Sequence, residues 1–344
     1  MTVSPTQSTI TLAHGSGGKA MHRLIHNTIL AGLARPSCAL QDHAEIAFAQ
    51  LGDTTDRLAF TTDSFVVDPV FFQGGDIGTL CVAGTVNDLA VGGATPRQLS
   101  LSFIIEEGFA IADLERIIAS IRATAETAGV EIVTGDTKVV PRGSADGIFI
   151  NTSGVGVIPA HVQLHTASLR EGDHILINGY IGDHGAAIAD ARESMGLSYD
   201  LASDCAPLND LISSVLALGA KIRCMRDATR GGLATVLNEF AADSQTSIAL
   251  TEDAVPIRPQ VRGFCELLGL DPLYLANEGK VVMGVAAADA EMVLEALRTH
   301  PLGQDAACIG QVLSAPQSRV ILKTSFGGDR ILDVLTGEQL PRIC

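Results

Sequence analysis

Basic residues are scarce in this chain. Its 344 residues carry 23 Lys and Arg against 39 Asp and Glu, a net charge of -16. No Lys/Arg cluster relieves that deficit locally, which disfavours a nucleic-acid partner or an anionic membrane surface. No run of about 18 apolar residues occurs either, and Met1 to Leu12 lacks both a basic start and a continuous apolar stretch. The expectation is a soluble, cytoplasmic protein without a membrane segment. The 7 cysteines are odd in number and widely spaced, with no C-x-x-C pair. That argues against a disulfide framework or a zinc site and for reduced thiols. Cys38, Cys81, Cys205, Cys224, Cys265 and Cys308 are expected to be small buried hydrophobes. Cys344 is not, because a chain end is rarely buried.

Two nucleotide signatures are also missing. His14-Gly15-Ser16-Gly17-Gly18-Lys19 is glycine-rich and can present several N–H groups to one anion, with Lys19 adding a point charge. It lacks the G-x-x-x-x-G-K-[ST] spacing of a P-loop and follows no predicted strand, so it is no dinucleotide fingerprint. On its own it reads equally as a linker.

With 47% apolar residues the chain is long enough for two domains, each with its own core. The divisions expected are a glycine-rich arm over 1–40, a first domain over 41–160, a second over 161–335, and a loose tail over 336–344. In the first domain, Arg57 to Val67 reads as a strand ending near Asp63, Asp76 to Gly93 as a close-packed helix bearing Asp88, and Gln98 to Ile105 as a strand. Leu114, Ile117, Ile118 and Ile121 read as one helical face closed by Gly129. Glu131 to Val140 reads as a strand bent at Gly135-Asp136-Thr137-Lys138, and Gly147 to Ile158 as another. Strict βαβ alternation is absent, so the class expected is α+β. In the second domain, strands are expected at His174 to Gly179, before Asp227, at Val281 to Val285, and near Ile309, Ile321 and Val334. Helices are expected from Gly182-Asp183-His184-Gly185 onward, over Leu208 to Leu218, after Gly231-Gly232 and over Ala290 to Leu297.

Four aspartates recur at strand ends or beside glycines: Asp63, Asp88, Asp136 and Asp227. Singly each reads as a turn or cap residue. Converging on one cleft they would suit magnesium, a hard ion that leaves coordination positions for phosphate and water. The tail closes on Pro341-Arg342-Ile343-Cys344. About nine residues, at about 3.3 Å each, reach roughly 30 Å, enough to enter a nearby cleft or swing out to a partner.

Several motifs taken together carry a resemblance. His14-Gly-Ser-Gly-Gly18, Thr61-Thr-Asp-Ser64, Gly74-Gly-Asp-Ile-Gly78, Asn87-Asp-Leu89, Ile104-Ile-Glu-Glu-Gly108 and Gly135-Asp-Thr-Lys138 lie in the first half. Gly182-Asp-His-Gly185, Arg226-Asp-Ala-Thr-Arg-Gly-Gly232, Asn277-Glu-Gly-Lys280 and the terminal Pro341-Arg-Ile-Cys344 lie in the second. Nearly the whole chain thus resembles the HypE family of hydrogenase maturation factors, in the aminoimidazole ribonucleotide (AIR) synthetase superfamily. Ala228 departs from it, standing where proline is expected, which bears on local loop rigidity.

The resemblance implies a two-domain PurM-like (AIR synthetase-like) α+β fold with a mobile C-terminal tail, and a homodimer. It implies that a carbamoyltransferase, HypF, loads a carbamoyl group onto Cys344. ATP-dependent dehydration of this thiocarboxamide then gives a thiocyanate, whose cyanide passes to iron on a HypC–HypD complex for the Fe(CN)2CO centre of [NiFe]-hydrogenase. The expected cofactors are ATP and Mg2+. The expected nucleotide-binding residues are Gly15, Ser16, Gly17, Gly18, Lys19, Asn87, Thr137 and Arg230, and the expected metal ligands are Asp63, Asp88, Asp136 and Asp227. Lys138 either steadies the carboxamide oxygen or only neutralises Asp136. Glu278 is either the base for the nitrogen proton or structural. The alternatives are a selenophosphate synthetase or purine-pathway enzyme of the same superfamily, or a non-catalytic assembly scaffold. Selenophosphate synthetases carry their reactive residue in the N-terminal glycine-rich region, whereas the first cysteine here, Cys38, lies beyond it.

Overall fold

The computed structural model describes residues 18–24, 26, 44–47, 55–193, 201–314, 318–335, 340 and 342–344. In the first half these are β1 (Ala44–Ala47), β2 (Arg57–Phe65), β3 (Phe71–Phe72), β4 (Gly75–Asp76), β5 (Thr95–Glu106), β6 (Glu131–Val140) and β7 (Ile148–Ile158), with helices α1 (Lys19–Leu24), α2 (Ile77–Val91) and α3 (Ile111–Ala128). One sheet runs β1-β2-β7-β5-β6, antiparallel except for the parallel β5–β6 pair that α3 connects. Along β7 buried and partly exposed residues alternate without a break, the mark of a sheet with one covered face.

The cover on that face is α2. Its N-cap is Asp76, whose Oδ1 accepts from Gly78 N at 2.7 Å and Thr79 N at 3.0 Å. Of its 15 residues 13 are buried, so it is apolar all round, the pattern of a helix enclosed by protein. On one side it packs against α3, β2 and β7, and on the other against the second half. Helix α3 is amphipathic: Ile117, Ile121, Ala125 and Ala128 are buried, and Gly129, at φ 67°, closes it in the left-handed conformation. Ile118, expected on the same face, is 46% exposed and points away.

The second half contains α4 (Asp183–Glu193), α5 (Asn209–Leu216), α6 (Gly232–Ser244), α7 (Pro259–Leu268) and α8 (Ala290–Thr299). Its strands are β8 (His174–Ile177), β9 (Ile222–Asp227), β10 (Ser247–Thr251), β11 (Val281–Val285), β12 (Ala307–Leu313), β13 (Val320–Lys323) and β14 (Asp329–Leu332), in one sheet ordered β14-β13-β10-β12-β8-β11-β9. One face packs against α6. The other packs against α5, α8 and the end of α2, where Ala90 and Val91 join Leu176, Met225 and Val281. The two halves thus share α2 as a common wall, and residues near its C-terminal end lie at their junction. The last strand falls at Asp329–Leu332, short of Val334. The segment Ser203–Cys205, β10 and α7 carry no motif noted above.

The interruption expected in β6 at Gly135–Lys138 is absent. Pairing with β5 continues residue by residue there, with Asp136 opposite Ser102 and Lys138 opposite Ile104, and the register shift falls earlier, between Ile132 and Thr134. Gly135 serves a different purpose: a Cβ there would sit 2.2 Å from Leu101 O, so glycine allows β5 and β6 to approach. No helix among the described residues is long and apolar enough to cross a membrane. The described cysteines are all free, with Cys81, Cys224 and Cys265 buried and Cys205, Cys308 and Cys344 half-buried.

Candidate active site

At the junction of the two halves lies a cavity of about 190 Å³ lined by Thr61, Thr62, Asp63, Gly84, Asp88, Asp227, Thr229, Arg230, Glu278 and Cys344. Strand β2 supplies Thr61 to Asp63, the C-terminal turn of α2 supplies Asp88, β9 ends on Asp227, and Arg230 precedes α6. Three of the four expected metal ligands therefore meet here with Glu278, Arg230 and Cys344.

Two of the carboxylates are held by hydrogen bonds from β2. The Thr61 hydroxyl donates to Asp88 Oδ2 at 2.9 Å, and Ser64 N donates to Asp63 Oδ1 at 2.8 Å. Burial raises the Asp63 pKa, with Arg230 opposing the rise. Burial raises Glu278 well above the usual carboxylate range, and the negative charges of Asp227, Asp63 and Asp204 push it the same way. Its Oε1 is buried with no hydrogen-bond partner. The result is a proton-holding carboxyl turned toward the cavity.

Glu278 sits on a loop held from every side. Asp204 Oδ1 accepts from Glu278 N at 3.0 Å, and Asp204 Oδ2 accepts from Gly279 N at 3.2 Å and Lys280 Nζ at 2.8 Å. Burial alone would raise Asp204, but Lys280 and the Glu278 N–H overcome it and hold its pKa low. Asn277 Nδ2 donates to Ala228 O at 2.8 Å and its Oδ1 accepts from Gly182 N at 2.7 Å. A Cβ on Gly279 would lie 1.9 Å from Asp204 O, so this contact requires glycine. Ala228 N donates to Lys280 O at 3.2 Å, a bond that proline could not make, so the departure at 228 ties two site loops together.

Asn87, expected to bind nucleotide, is committed elsewhere. Its Nδ2 donates to Ala206 O and Glu278 O at 3.1 and 3.2 Å, and its Oδ1 accepts from Leu208 N at 2.7 Å. It braces the Glu278 loop against α2.

The tail is seated rather than loose at its end. Asp68 N donates to Arg342 O at 3.3 Å and Val66 N to Cys344 O at 3.0 Å. Ile343 O lies 2.7 Å from His184 Nε2, and Arg192 donates to Arg342 O. Ile343 is 6% exposed and joins the core of the first half. Arg342 holds φ 49°, rare for a side-chain-bearing residue, and its guanidinium donates to Val66 O at 2.9 Å and to Asp146. Burial pushes the Cys344 thiol up to about 12, against the opposing pull of Arg230.

The remaining expected residues that the structure describes are not brought to the cavity. Asp136 and Lys138 form an ion pair at 2.9 Å on β6, with side chains 60% and 69% exposed, and Thr137 lies between them. Lys19 pairs with Asp333 at 2.7 Å, and its backbone N, next to Gly18, donates to Leu335 O at 3.1 Å. Gly15, Ser16 and Gly17 lie outside the described residues. Asp204 went unrecognised in the sequence because nothing local marks it. His184 stood inside a quoted motif, but its contact with residue 343 is visible only in the fold.

Two sheet-based halves that share a buried helix and close on an acidic cavity define the AIR synthase related class. Residues 41–158 match the AIR synthase related protein N-terminal domain and residues 170–323 its C-terminal domain. The carbamoyl dehydratase HypE of Rhodobacter capsulatus is 52% identical over 335 residues, spanning 97% of this chain and 98% of that protein. A crystal structure of the hydrogenase maturation protein HypE in complex with ATP aligns at a TM-score of 0.81 and 47% identity, covering 98% of this chain and 100% of that one. A HypE–HypF complex aligns at 0.82 and 42%, covering 90% and 100%. The chain belongs to the carbamoyl dehydratase HypE family.

Proposed function

We propose that this chain dehydrates a carbamoyl group carried on Cys344, using ATP, and yields a thiocyanate. The observation that carries the reading is the seating of Cys344 inside a cavity beside Glu278 and Arg230. A carrier thiol buried with a proton-holding carboxyl and a cation has the parts that the reaction needs. ATP supplies the phosphoryl group that turns the amide oxygen into a leaving group. Glu278, in its ionised form, removes protons from the carboxamide nitrogen as the C–O bond breaks and the nitrile forms. Arg230 offsets negative charge on the oxygen. The balance is thiocarboxamide and ATP to thiocyanate, ADP, phosphate and a proton.

The pocket also fits magnesium delivered with the nucleotide. Asp63, Asp88 and Asp227 offer hard oxygen donors, yet among the described residues no three His, Cys, Asp or Glu converge tightly enough to hold an ion alone. Magnesium usually takes one or two carboxylates and completes its shell with phosphate and water. Asp88→Asn is expected to lower Mg-ATP binding and turnover at least about tenfold and to abolish protection from proteolysis by ATP. A scaffold that only docks its tail would show no such loss.

Loading of Cys344 by HypF and delivery of cyanide to iron on a HypC–HypD complex belong to the same reading. The HypE–HypF complex supports the first. Inside the cavity the thiol is neutral and a poor nucleophile, so carbamoylation takes place with the tail withdrawn.

We further propose a homodimer formed through the first sheet. Its outer face exposes Phe60 (41%) and Ile104 (45%), and Asp136 and Lys138, paired with Ser102 and Ile104, share that face. Any part played by Asp136, Thr137 and Lys138 in nucleotide binding or catalysis would then arise in the pair. Sedimentation velocity should show a dimer, shifted toward monomer by Ile104→Glu; a monomeric parent protein would contradict this.

A further inference from the structure

We propose that His184 is a positioning residue that latches the carrier tail, holding Cys344 in the cavity by gripping the backbone one residue before it. His184 is 0% exposed at the start of α4. Its Nε2 lies 2.7 Å from Ile343 O and its Nδ1 lies 2.8 Å from Ser203 Oγ.

A hydrogen count leaves one arrangement. A carbonyl only accepts, so Nε2 carries the proton and donates to Ile343 O. The neutral ring then accepts at Nδ1 from the Ser203 hydroxyl, whose oxygen in turn accepts from Cys205 N at 3.1 Å. Every member of the chain is satisfied, and burial, which lowers the His184 pKa, favours the neutral ring this requires. Phe72 packs edge-on against the imidazole, with ring centroids 5.6 Å apart, and limits its rotation. Ser203 is itself anchored by its N–H to Gln73 O at 2.8 Å. The donor is thus fixed before the tail arrives.

Withdrawal of the tail removes the acceptor of Nε2–H and forfeits the net value of that bond. His184 therefore biases the tail inward, alongside the carbonyls of Arg342 and Cys344, which accept from the backbone of the first half and, at Arg342, also from the Arg192 side chain. The role assigned to Cys344 rests on the function proposed above, but the seating does not.

The test is the rate at which iodoacetamide alkylates Cys344 in the full chain without nucleotide, followed by peptide mass mapping. His184→Ala is expected to speed this about tenfold, the scale of one lost hydrogen bond. His184→Gln, whose amide N–H can replace Nε2–H, should return it to within about threefold of the parent. Cys308, on β12 outside the cavity lining, should react at an unchanged rate. An unchanged Cys344 rate in His184→Ala, no rescue by glutamine, or a parallel rise at Cys308 would overturn the latch. If His184→Ala does not fold, Ser203→Ala serves: it removes the donor to Nδ1 and should still raise Cys344 reactivity several-fold, and no rise overturns the proposal. None of these rates depends on carbamoylation, so the latch and the dehydration reading can fail separately.

Discussion

Cys344→Ala is expected to abolish product formation completely while leaving Mg-ATP binding within about twofold of the parent. The sulfur is the attachment point, and no other described cysteine lines the cavity. Cys205, half-buried nearby in the same core cluster, has its thiol raised well above the ordinary range by burial and by the negative charge of Glu278 and Asp204, so it makes a poor substitute nucleophile. The check is intact-mass analysis after incubation with the carbamoyl donor, HypF and Mg-ATP. A carbamoyl mass on the alanine variant would place the carrier elsewhere.

Glu278→Gln has the next largest expected effect, a fall of about 10²- to 10⁴-fold in dehydration rate, the range typical for loss of a general base. The same change should stabilise the nucleotide-free protein at alkaline pH. The folded-state pKa of Glu278 is raised, first by burial and then by Asp227, Asp63 and Asp204. Between its unfolded value, about 4.3, and that raised value, the native state holds a proton that the unfolded chain has lost, so stability falls as pH rises. Below the unfolded value the group contributes no slope. Glutamine is neutral at every pH, so the gap in melting temperature between variant and parent should widen from pH 5 toward pH 8. A variant with full activity would remove Glu278 from the chemistry, and a constant gap would contradict its burial as a neutral acid.

Much of this was legible in the sequence because glycine-flanked motifs are local. Asp63, Asp88, Asp227, Arg230 and Glu278 each sit in a short signature, and the fold brings all five to one cavity with Cys344. Strand β7 and helix α3 followed from periodicity. The face of Ile118 did not, since Leu114, Ile117 and Ile121 can share a stripe only by turning Ile118 toward its edge. Gly135 misled because a glycine needed for close strand approach looks the same in sequence as one needed for a bend. Asn87 looked like a ligand-binding amide, but its contacts with residues 206, 208 and 278 are all long-range. The same holds for Asp204 and His184, whose partners lie 74 and 159 residues away. Side chains that hold loops in place leave no periodic or spaced trace.

The most direct test of the central claim starts from full-length protein carbamoylated on Cys344 by HypF, mixed with Mg-ATP and followed by intact-protein mass spectrometry. The account predicts loss of the mass of one water from the Cys344 peptide, with one ADP formed per chain, and no loss without ATP. A carbamoyl group that persists, or leaves by hydrolysis to give the free thiol while ADP accumulates, would contradict it.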